Sequence, residues 1–232
     1  MTGRIGYGLA LAIILLAGCG EEAAGPRLSL PAPVLLPPPS DLAEEERGLD
    51  AVPDRDAIQI EWQRYLDEQA AVEIYRACDR PVSFAKIASV GARDTCYLDE
   101  GVAIGRRYWY FLVARRGSER SRPSDTLSYR LLDKPYALSE EGGRVPIFRW
   151  QVREVPVAYV IKLFDGTADT RVWFAVVTPD YGALVEQVRF NSDGSAVVDS
   201  LVSGRVYRWR VDVVAPEAAA GAESNWRLFL CP

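Results

Sequence analysis

The side chains that could carry chemistry in this chain are thiols and carboxylates, because its 232 residues include no histidine. Histidine is the commonest acid–base group near neutral pH and the commonest zinc ligand. Its absence excludes Ser/His/Asp and Cys/His nucleophile systems. No Gly-rich phosphate loop of the GxxxxGK type is present. The sequence therefore predicts no catalytic residue, no cofactor and no metal, and we expect a protein that is not an enzyme.

Carboxylates in loops are the remaining candidates for a glycosidase or a calcium site. A glycosidase needs two facing carboxyl groups, and calcium needs several oxygen ligands. Two clusters have suitable residue types, namely Asp50 with Asp54 and Asp56, and the alternating polar residues from Asn191 to Ser195. Asp and Asn favour turns because their side chains bond to the nearby backbone. We interpret both clusters as turns, with a calcium site as the alternative.

Cys19 follows a segment that is typical of an export signal. Arg4 supplies a positive start, Leu9 to Leu16 an apolar stretch, and Ala17-Gly18 the small residues before a cleavage point. The apolar stretch is shorter than the about 20 residues that a membrane-spanning helix needs. We therefore expect residues 1–18 to be a signal peptide and the chain to be exported.

The sequence Leu16-Ala17-Gly18-Cys19 resembles the lipobox of bacterial lipoproteins. The resemblance implies that Cys19 becomes the first mature residue and carries diacylglycerol and an N-linked acyl chain such as palmitate. Several acyl chains together anchor a protein firmly to a membrane. The next residue is Gly20 rather than Asp, which by analogy with lipoprotein sorting favours the outer membrane. The alternative is an ordinary secretory signal with an incidental cysteine.

Three further cysteines are Cys78, Cys96 and Cys231. Export permits disulfide formation. Closing the loop between Cys78 and Cys96 would contribute about 3 kcal/mol in the chain-entropy model. We expect that disulfide, with two separate thiols as the alternative, and we expect Cys231 to be a small core residue.

Charge and composition limit the partners and the domain boundaries. The formal net charge is −5 and no strongly basic run occurs, which argues against a nucleic-acid partner. Gly, Ala, Glu and Pro dominate residues 20–40 and predict a tether that its prolines stiffen. Asp41 and Glu44 have the spacing of a capping box, which predicts a short helical turn before Gly48. We assign residues 19–30 to the lipidated cysteine and flexible tether.

Beyond the tether the hydrophobic residues alternate with a period of two. That period predicts half-buried strands, and no long amphipathic helix interrupts them. The fold class that this pattern predicts is all-β, with antiparallel sandwiches. Strands are predicted around Ile58–Trp62, Val72–Arg76, Phe84–Val90, Tyr108–Ala114, Thr126–Leu131, Ile147–Trp150, Tyr159–Phe164, Val172–Val177, Val185–Phe190, Ala196–Asp199, Tyr207–Val214 and Trp226–Leu230, with a fifth strand of the first module beginning near Cys96.

An aromatic pattern occurs twice in the same order. Each half has an early strand that ends in tryptophan, "IQIEW" and "IFRW". Each then has a glycine, a tyrosine three residues later, an aromatic residue and an aliphatic one. The two series are Gly105, Tyr108, Tyr110, Leu112 and Gly204, Tyr207, Trp209, Val211. The repetition indicates two modules of one kind.

These repeated residues resemble fibronectin type III domains. The resemblance implies that Trp62 and Trp150 lie at the centres of two cores, and that Tyr108 and Tyr207 form tyrosine corners. It implies two tandem immunoglobulin-like (fibronectin type III-like) β-sandwiches, at residues 31–134 and 135–232. The stretch "RVWFAVV" in the second module departs from the family pattern and could re-route a strand.

One strand of the first module is apolar on both faces. If Tyr108 points inward, then Trp109, Phe111 and Val113 point outward, and Tyr75 on the neighbouring strand extends the stripe. Exposed apolar patches of this kind usually mark contacts. We expect either a partner-binding face or a stripe that the "LSLPAPVLL" segment or the second module covers. In the second module the outward residues are Arg208, Arg210 and Asp212, as expected of a solvated face.

Together these features predict a non-catalytic binding or interaction module that is anchored to an envelope membrane. The partner, a protein or a glycan, is not identified by the sequence. The alternative is a structural spacer or a subunit of an envelope complex. A carbohydrate-active protein is less favoured, because no cleft with two facing carboxylates is indicated.

Overall fold

The computed structural model describes residues 29–40 and 42–232, and every regular element in them is a β-strand. The all-β fold class is therefore confirmed. The predicted signal peptide, Cys19 and the part of the predicted tether before residue 29 lie outside the described residues.

The first module is a sandwich of two antiparallel sheets. One sheet has the strand order β1-β2-β5, and the other has the order β4-β3-β6-β8, with β7 paired to the end of β6. The strands are β1 (Leu49–Val52), β2 (Arg55–Glu61), β3 (Ala71–Cys78), β4 (Ala85–Gly91), β5 (Cys96–Asp99), β6 (Arg107–Arg116), β7 (Glu119–Arg120) and β8 (Leu127–Leu131).

The second module has the same construction. Its sheets have the orders β9-β10-β13 and β12-β11-β14, and both β15 and β16 pair with β14. The strands are β9 (Tyr136–Glu141), β10 (Ile147–Gln151), β11 (Ala158–Asp165), β12 (Arg171–Val177), β13 (Glu186–Arg189), β14 (Val206–Val214), β15 (Ala220–Glu223) and β16 (Arg227–Leu230). The stretch "RVWFAVV" forms β12, which lies where β4 lies in the first module. Two tandem sandwiches are thus confirmed, and no strand is re-routed.

Each core is built around a tryptophan from the second strand of its module. Trp62 is 1% exposed and Trp150 is fully buried. Each belongs to a separate cluster of buried hydrophobic residues, one running from Leu30 to Leu131 and the other from Leu132 to Cys231. The two tryptophans therefore occupy the positions that the family resemblance implies.

Both tyrosine corners are formed. The hydroxyl of Tyr108 accepts a hydrogen bond of 2.9 Å from the backbone N–H of Ala103. The hydroxyl of Tyr207 accepts one of 3.0 Å from the backbone N–H of Val202. Both donors lie five residues upstream of the tyrosine. The aromatic pattern that is repeated in the sequence is therefore repeated in hydrogen-bond geometry.

The two modules share one sheet. Strand β15 of the second module pairs in parallel with β8 of the first, with Ala220 opposite Arg130 and Gly221 opposite Leu131. The N–H of Leu132 also donates to the carbonyl of Gly221 at 2.9 Å. The four-stranded sheet of the first module therefore continues into the second, which fixes the modules against each other.

A loop leaves the first module after Leu36 and returns at Gly48. Both ends bond to one residue of β2, because Glu61 accepts from the N–H of Leu36 at 3.0 Å and donates to the carbonyl of Gly48 at 2.8 Å. Gly48 has a φ of +83°, and a Cβ there would lie 2.7 Å from the carbonyl oxygen of Leu36. The position therefore requires glycine. We call residues 42–47 of this loop the acidic loop.

Three sequence predictions about local structure are wrong. Residues 42–47 form no helix: the N–H of Ala43 donates to the carbonyl of Ser40 in a turn at Leu42, and the residues that follow are irregular. The proline-rich segment is not a free tether over its whole predicted length, because Leu30 and Leu35 pack into the first core and Leu35 bridges to Trp62. Residues 196–199 form bends instead of a strand, so the turn at 191–194 does not close a hairpin.

Candidate interaction surface

The four residues of the predicted face share the outer side of the four-stranded sheet of the first module. Tyr75 on β3 lies directly opposite Phe111 on β6, while Trp109 and Val113 occupy neighbouring outward positions of β6. Alternation along each strand places all four on the side away from the core. The geometry expected from the sequence is therefore present, although whether a partner binds there stays a prediction.

Ring stacking shields much of this stripe from solvent. The rings of Tyr75 and Phe111 stack 4.9 Å apart at 7°, and Phe84 tilts onto Phe111 at 4.7 Å. Tyr75, Phe84, Phe111 and Trp109 are half-buried, and Val113 is buried. Phe84 was not among the predicted face residues; the sequence predicted it as the start of a strand, but it lies just before β4. We call Tyr75, Phe84, Phe111 and Trp109 the aromatic stripe.

A buried carboxylate lies at the end of the aromatic stripe. Glu73 is 2% exposed and accepts hydrogen bonds from Tyr75, Lys86 and Arg120 at 2.9, 3.1 and 2.7 Å. Burial opposes its ionisation, but those hydrogen bonds and the charges of Arg120 and Lys86 outweigh burial, so the pKa of Glu73 is lowered. The sequence gives no local signal for this group, because its partners come from three strands or their ends.

Neither of the two segments that the sequence suggested, the "LSLPAPVLL" stretch and the second module, covers the aromatic stripe as a whole. The proline-rich segment pairs with β2 in the opposite sheet, through Leu35 and Trp62. The second module reaches this face at Arg107, whose guanidinium donates to the carbonyls of Ala218 and Ala219 at 3.2 and 3.3 Å. The stripe is instead shielded by its own stacked rings and by long cationic side chains, such as Arg120 above Tyr75.

The corresponding face of the second module is not the solvated surface that its charged residues predict. The side chains of Arg210 and Asp212 are only 3% and 13% exposed. Lys162, on the neighbouring strand β11, is buried as well. Arg208 alone of the predicted outward set stays partly open, above the ring of Trp226 at 4.5 Å.

A cluster of ions at the junction explains this burial. Arg210 contacts Asp212 at 3.0 Å and Glu223 at 2.9 Å, and Lys162 contacts the other oxygen of Asp212 at 3.0 Å. Glu46 of the acidic loop completes the cluster by pairing with both Lys162 and Arg210. Every cation here contacts at least two carboxylates, which compensates for the loss of water.

The charges shift the pKa values of the cluster in different directions. Burial would lower the pKa of Arg210 and of Lys162, but the surrounding carboxylates outweigh it and both are raised. The pKa of Glu223 is raised by burial and by the charge of Asp212. Oxygen atoms of Glu46, Asp212 and Glu223 lie within 4.8 Å of one another, as metal ligands do. Arg210 and Lys162 already supply positive charge there, so we assign no metal to the site.

Of the two candidate calcium clusters, the one around Asp193 lies in a turn, but Asp50 lies in strand β1, so the interpretation of that residue as part of a turn was wrong. Asp50 accepts from the hydroxyl of Tyr129 at 3.0 Å and from the N–H of Ala51. Asp193 accepts from the indole N–H of Trp173 at 2.8 Å and from Ser195. The bonds of Asp193 to Ser195 are those expected when Asp stabilises a turn, whereas the bond from Tyr129 ties Asp50 of β1 to strand β8.

The predicted disulfide is not formed. Cys78, Cys96 and Cys231 are all free thiols. Cys78 ends β3 and Cys96 begins β5, and these strands belong to opposite sheets of the first module. Spacing along the chain suggested the pair, but the two strands lie on different sides of the core. Cys231 is buried in the second core, and burial raises its pKa.

Comparisons with known proteins give no family for this chain and only distant similarity to solved structures. No protein-family model matches the chain, and no curated protein matches it. Among solved structures it is similar to a two-domain fibronectin type III segment of chicken tenascin, with 18% identity, a TM-score of 0.32, and coverage of 78% of this chain and 95% of that one.

Two further similar structures contain domains from other chicken proteins. The FN1–FN3 domains of CNTN1 show 12% identity, a TM-score of 0.37, and coverage of 87% of this chain and 68% of that one. The interferon gamma receptor alpha chain shows 14% identity, a TM-score of 0.35, and coverage of 88% of this chain and 100% of that one. At such identities and scores the comparisons carry no functional argument, and the fold assignment rests on the strand order itself.

The predicted membrane anchor falls on residues that the structure does not describe. Cys19 and the lipobox lie within residues 1–28. Within residues 29–40 and 42–232, no helix is long and apolar enough to cross a bilayer. Lipidation at Cys19 therefore stays a prediction from the sequence.

Proposed function

We propose that this chain is a non-catalytic interaction protein of a bacterial envelope, exported and held at a membrane, by preference the outer one, through lipidated Cys19. The observation that supports an interaction role is the aromatic stripe, flanked by Arg115 and Arg120. Aromatic and arginine side chains are enriched at the energetic centres of protein interfaces. Because the stripe is only half-buried, a protein partner would gain apolar burial there.

Site-specific photo-crosslinking of the full chain in its membrane tests the interaction surface. A photoreactive phenylalanine at Phe111 should give a discrete adduct with a partner after illumination, because this ring lies at the centre of the stripe. The same residue at Tyr181, which is 72% exposed in a loop of the second module, is the matched control. No adduct at Phe111, or the same adducts from both positions, would contradict a partner surface at the stripe.

A structural spacer is the second candidate function. The sheet that runs from β4 to β12 through both modules favours it, because such a connection holds the modules at a fixed angle. A spacer has no dedicated partner on the stripe, so it predicts no specific adduct at Phe111. The crosslinking experiment therefore separates the two functions.

The anchor has its own test. When the full chain is expressed in a bacterial host with labelled palmitate, we expect label on the protein and its recovery in the membrane fraction, since acyl chains bind bilayers. The Cys19→Ser variant should carry no label. Cys78→Ser, which removes an exposed thiol far along the chain, should be labelled like the original. Label that persists in Cys19→Ser would contradict the lipobox assignment.

A further inference from the structure

The outer sheet face of the second module carries several cations close together, and their mutual repulsion would destabilise the sheet if nothing compensated for it. Lys162 on β11 lies directly opposite Arg210 on β14. Like charges in directly opposite positions destabilise a sheet. Arg171 on β12 lies on the same face, one position further along, opposite Phe164. Carboxylates between these cations are required to hold them together.

The acidic loop supplies part of that negative charge from the other module. Glu44 pairs with Arg171, and Glu46 pairs with both Lys162 and Arg210. Among the described residues, Glu44 is the one carboxylate that contacts Arg171. Glu45, between the two, pairs instead with Arg47 at 3.5 Å within the loop. Glu44 and Glu46, two residues apart in the loop, therefore both contact the basic face.

The loop is an excursion that the first sandwich does not need for its own pairing. Leu36 and Gly48 bond to the same residue of β2, so the strands would remain connected if the segment between them were displaced. Side chains of the loop and the face enclose a cavity of about 100 Å³. Glu44, Glu46, Arg171, Phe164 and Trp226 line it. The fit between loop and face is therefore incomplete.

We propose that this basic face, around Lys162, Arg171 and Arg210, is a binding site for an acidic peptide segment of a protein partner, and that the acidic loop occupies it in cis. The resident loop indicates what the face recognises, namely two carboxylates that lie two residues apart on one segment. Trp226 and Phe164 border the cations and provide apolar contact for the peptide backbone and side-chain stems. The site is separate from the aromatic stripe, which lies on the first module.

An attached competitor lowers the apparent affinity for a free peptide. A tethered segment acts at an effective concentration in the millimolar range. The free peptide binds only to the fraction of molecules whose loop is displaced, and its apparent Kd rises accordingly. Removing the two carboxylates of the loop that contact the face should therefore increase peptide affinity.

Fluorescence anisotropy with a labelled hexaglutamate peptide tests the site on the full chain in detergent. We expect Glu44→Gln/Glu46→Gln to bind the peptide about tenfold more tightly than the original chain, with the gain lost in high salt. Glu45→Gln is the matched control and should bind like the original chain, because Glu45 does not contact the face. Adding Arg171→Gln to the double variant should remove most of the gain.

Three outcomes would overturn the proposal. The first is an unchanged peptide affinity in the double variant. The second is an increase in peptide affinity that persists after Arg171→Gln is added, which would place the binding site elsewhere. The third is a gain for a sulfated oligosaccharide without a gain for the peptide. If loss of Glu46 unfolds the junction, Glu44→Gln alone decides the question, since its pair with Arg171 is half exposed. That variant should still bind the peptide more tightly than Glu45→Gln does.

Discussion

Asp50 is a carboxyl group that the fold holds far from its ordinary ionisation range. Burial raises its pKa from 3.8 to about 7, and the negative charge of Glu46 adds to the effect. The folded chain therefore binds a proton that the unfolded chain releases between about pH 4 and pH 7. Asp50 therefore makes the fold less stable as the pH rises from about 4 to about 7. Its full stabilising contribution is present only below the pKa of 3.8 that the carboxyl has in the unfolded chain.

Replacing Asp50 by Asn should remove that pH dependence. The amide oxygen can still accept from Tyr129 and Ala51, the partners of Asp50, but it does not ionise. At about pH 8 we expect Asp50→Asn to unfold with a free energy roughly 1–3 kcal/mol higher than the original chain, and at about pH 4 to differ little. Urea denaturation at both values measures the difference.

Asp54→Asn provides the control for this change. Asp54 is exposed four residues away, so its replacement should shift stability equally at both pH values. If Asp50→Asn is no more stable than the original chain at the higher pH, the carboxyl is already ionised at little cost, and the burial argument for Asp50 is wrong.

At the scale of elements, alternation along the chain predicted the strands that bury one face. The tryptophan-bearing strands β2 and β10 and the tyrosine-bearing strands β6 and β14 all show this period, because core and solvent faces alternate along a strand. Strand β9 was missed because most of its side chains face solvent, and β15 was missed because Ala220–Glu223 are mostly small residues. Their strand pairing is decided by neighbours distant in sequence.

A serine that bonds to the long central strand occurs once in each module, and the alternation of hydrophobic residues did not reveal it. Ser124 accepts from the N–H of Leu112 at 2.9 Å and donates its own N–H to the same residue. Ser224 makes the same two bonds to Val211. Leu112 and Val211 are the aliphatic residues of the repeated aromatic pattern, so aligning the two modules beyond that pattern could have found this contact.

The acidic loop shows which contacts local patterns cannot predict. Its composition predicted a capping box, since Asp41 and Glu44 have the right spacing. The structure uses Glu44 and Glu46 for cations of the other module, and Glu46 lies 164 residues from its partner Arg210. Nothing in the alternation of β14 indicates that Arg210 is buried, because burial there depends on a segment from the opposite end of the chain.

At the scale of the whole molecule, the junction between β8 and β15 should make the two modules unfold together. Gly221 in β15 lies where a Cβ would be 2.5 Å from the carbonyl oxygen of Val213 and 3.0 Å from the hydroxyl of Tyr129. The carbonyl belongs to the backbone of β14, so it can move only if the pairing of β14 with β15 is disturbed. A side chain at this position is therefore incompatible with the junction as it stands.

Gly221→Ala should accordingly uncouple the modules. We expect one thermal transition for the original chain and two for the variant, with the second module melting on the order of 5 °C lower, because forcing a methyl group into a packed site costs roughly 1–3 kcal/mol. Differential scanning calorimetry measures both quantities. Gly143→Ala is the matched control, since a Cβ at Gly143 meets open space and should leave a single transition. A single, unshifted transition in Gly221→Ala would mean that the shared sheet does not couple the modules. The case for a rigid two-module unit would then depend on side-chain contacts of the junction, such as the ion cluster around Arg210 and the bonds from Arg107 to Ala218 and Ala219.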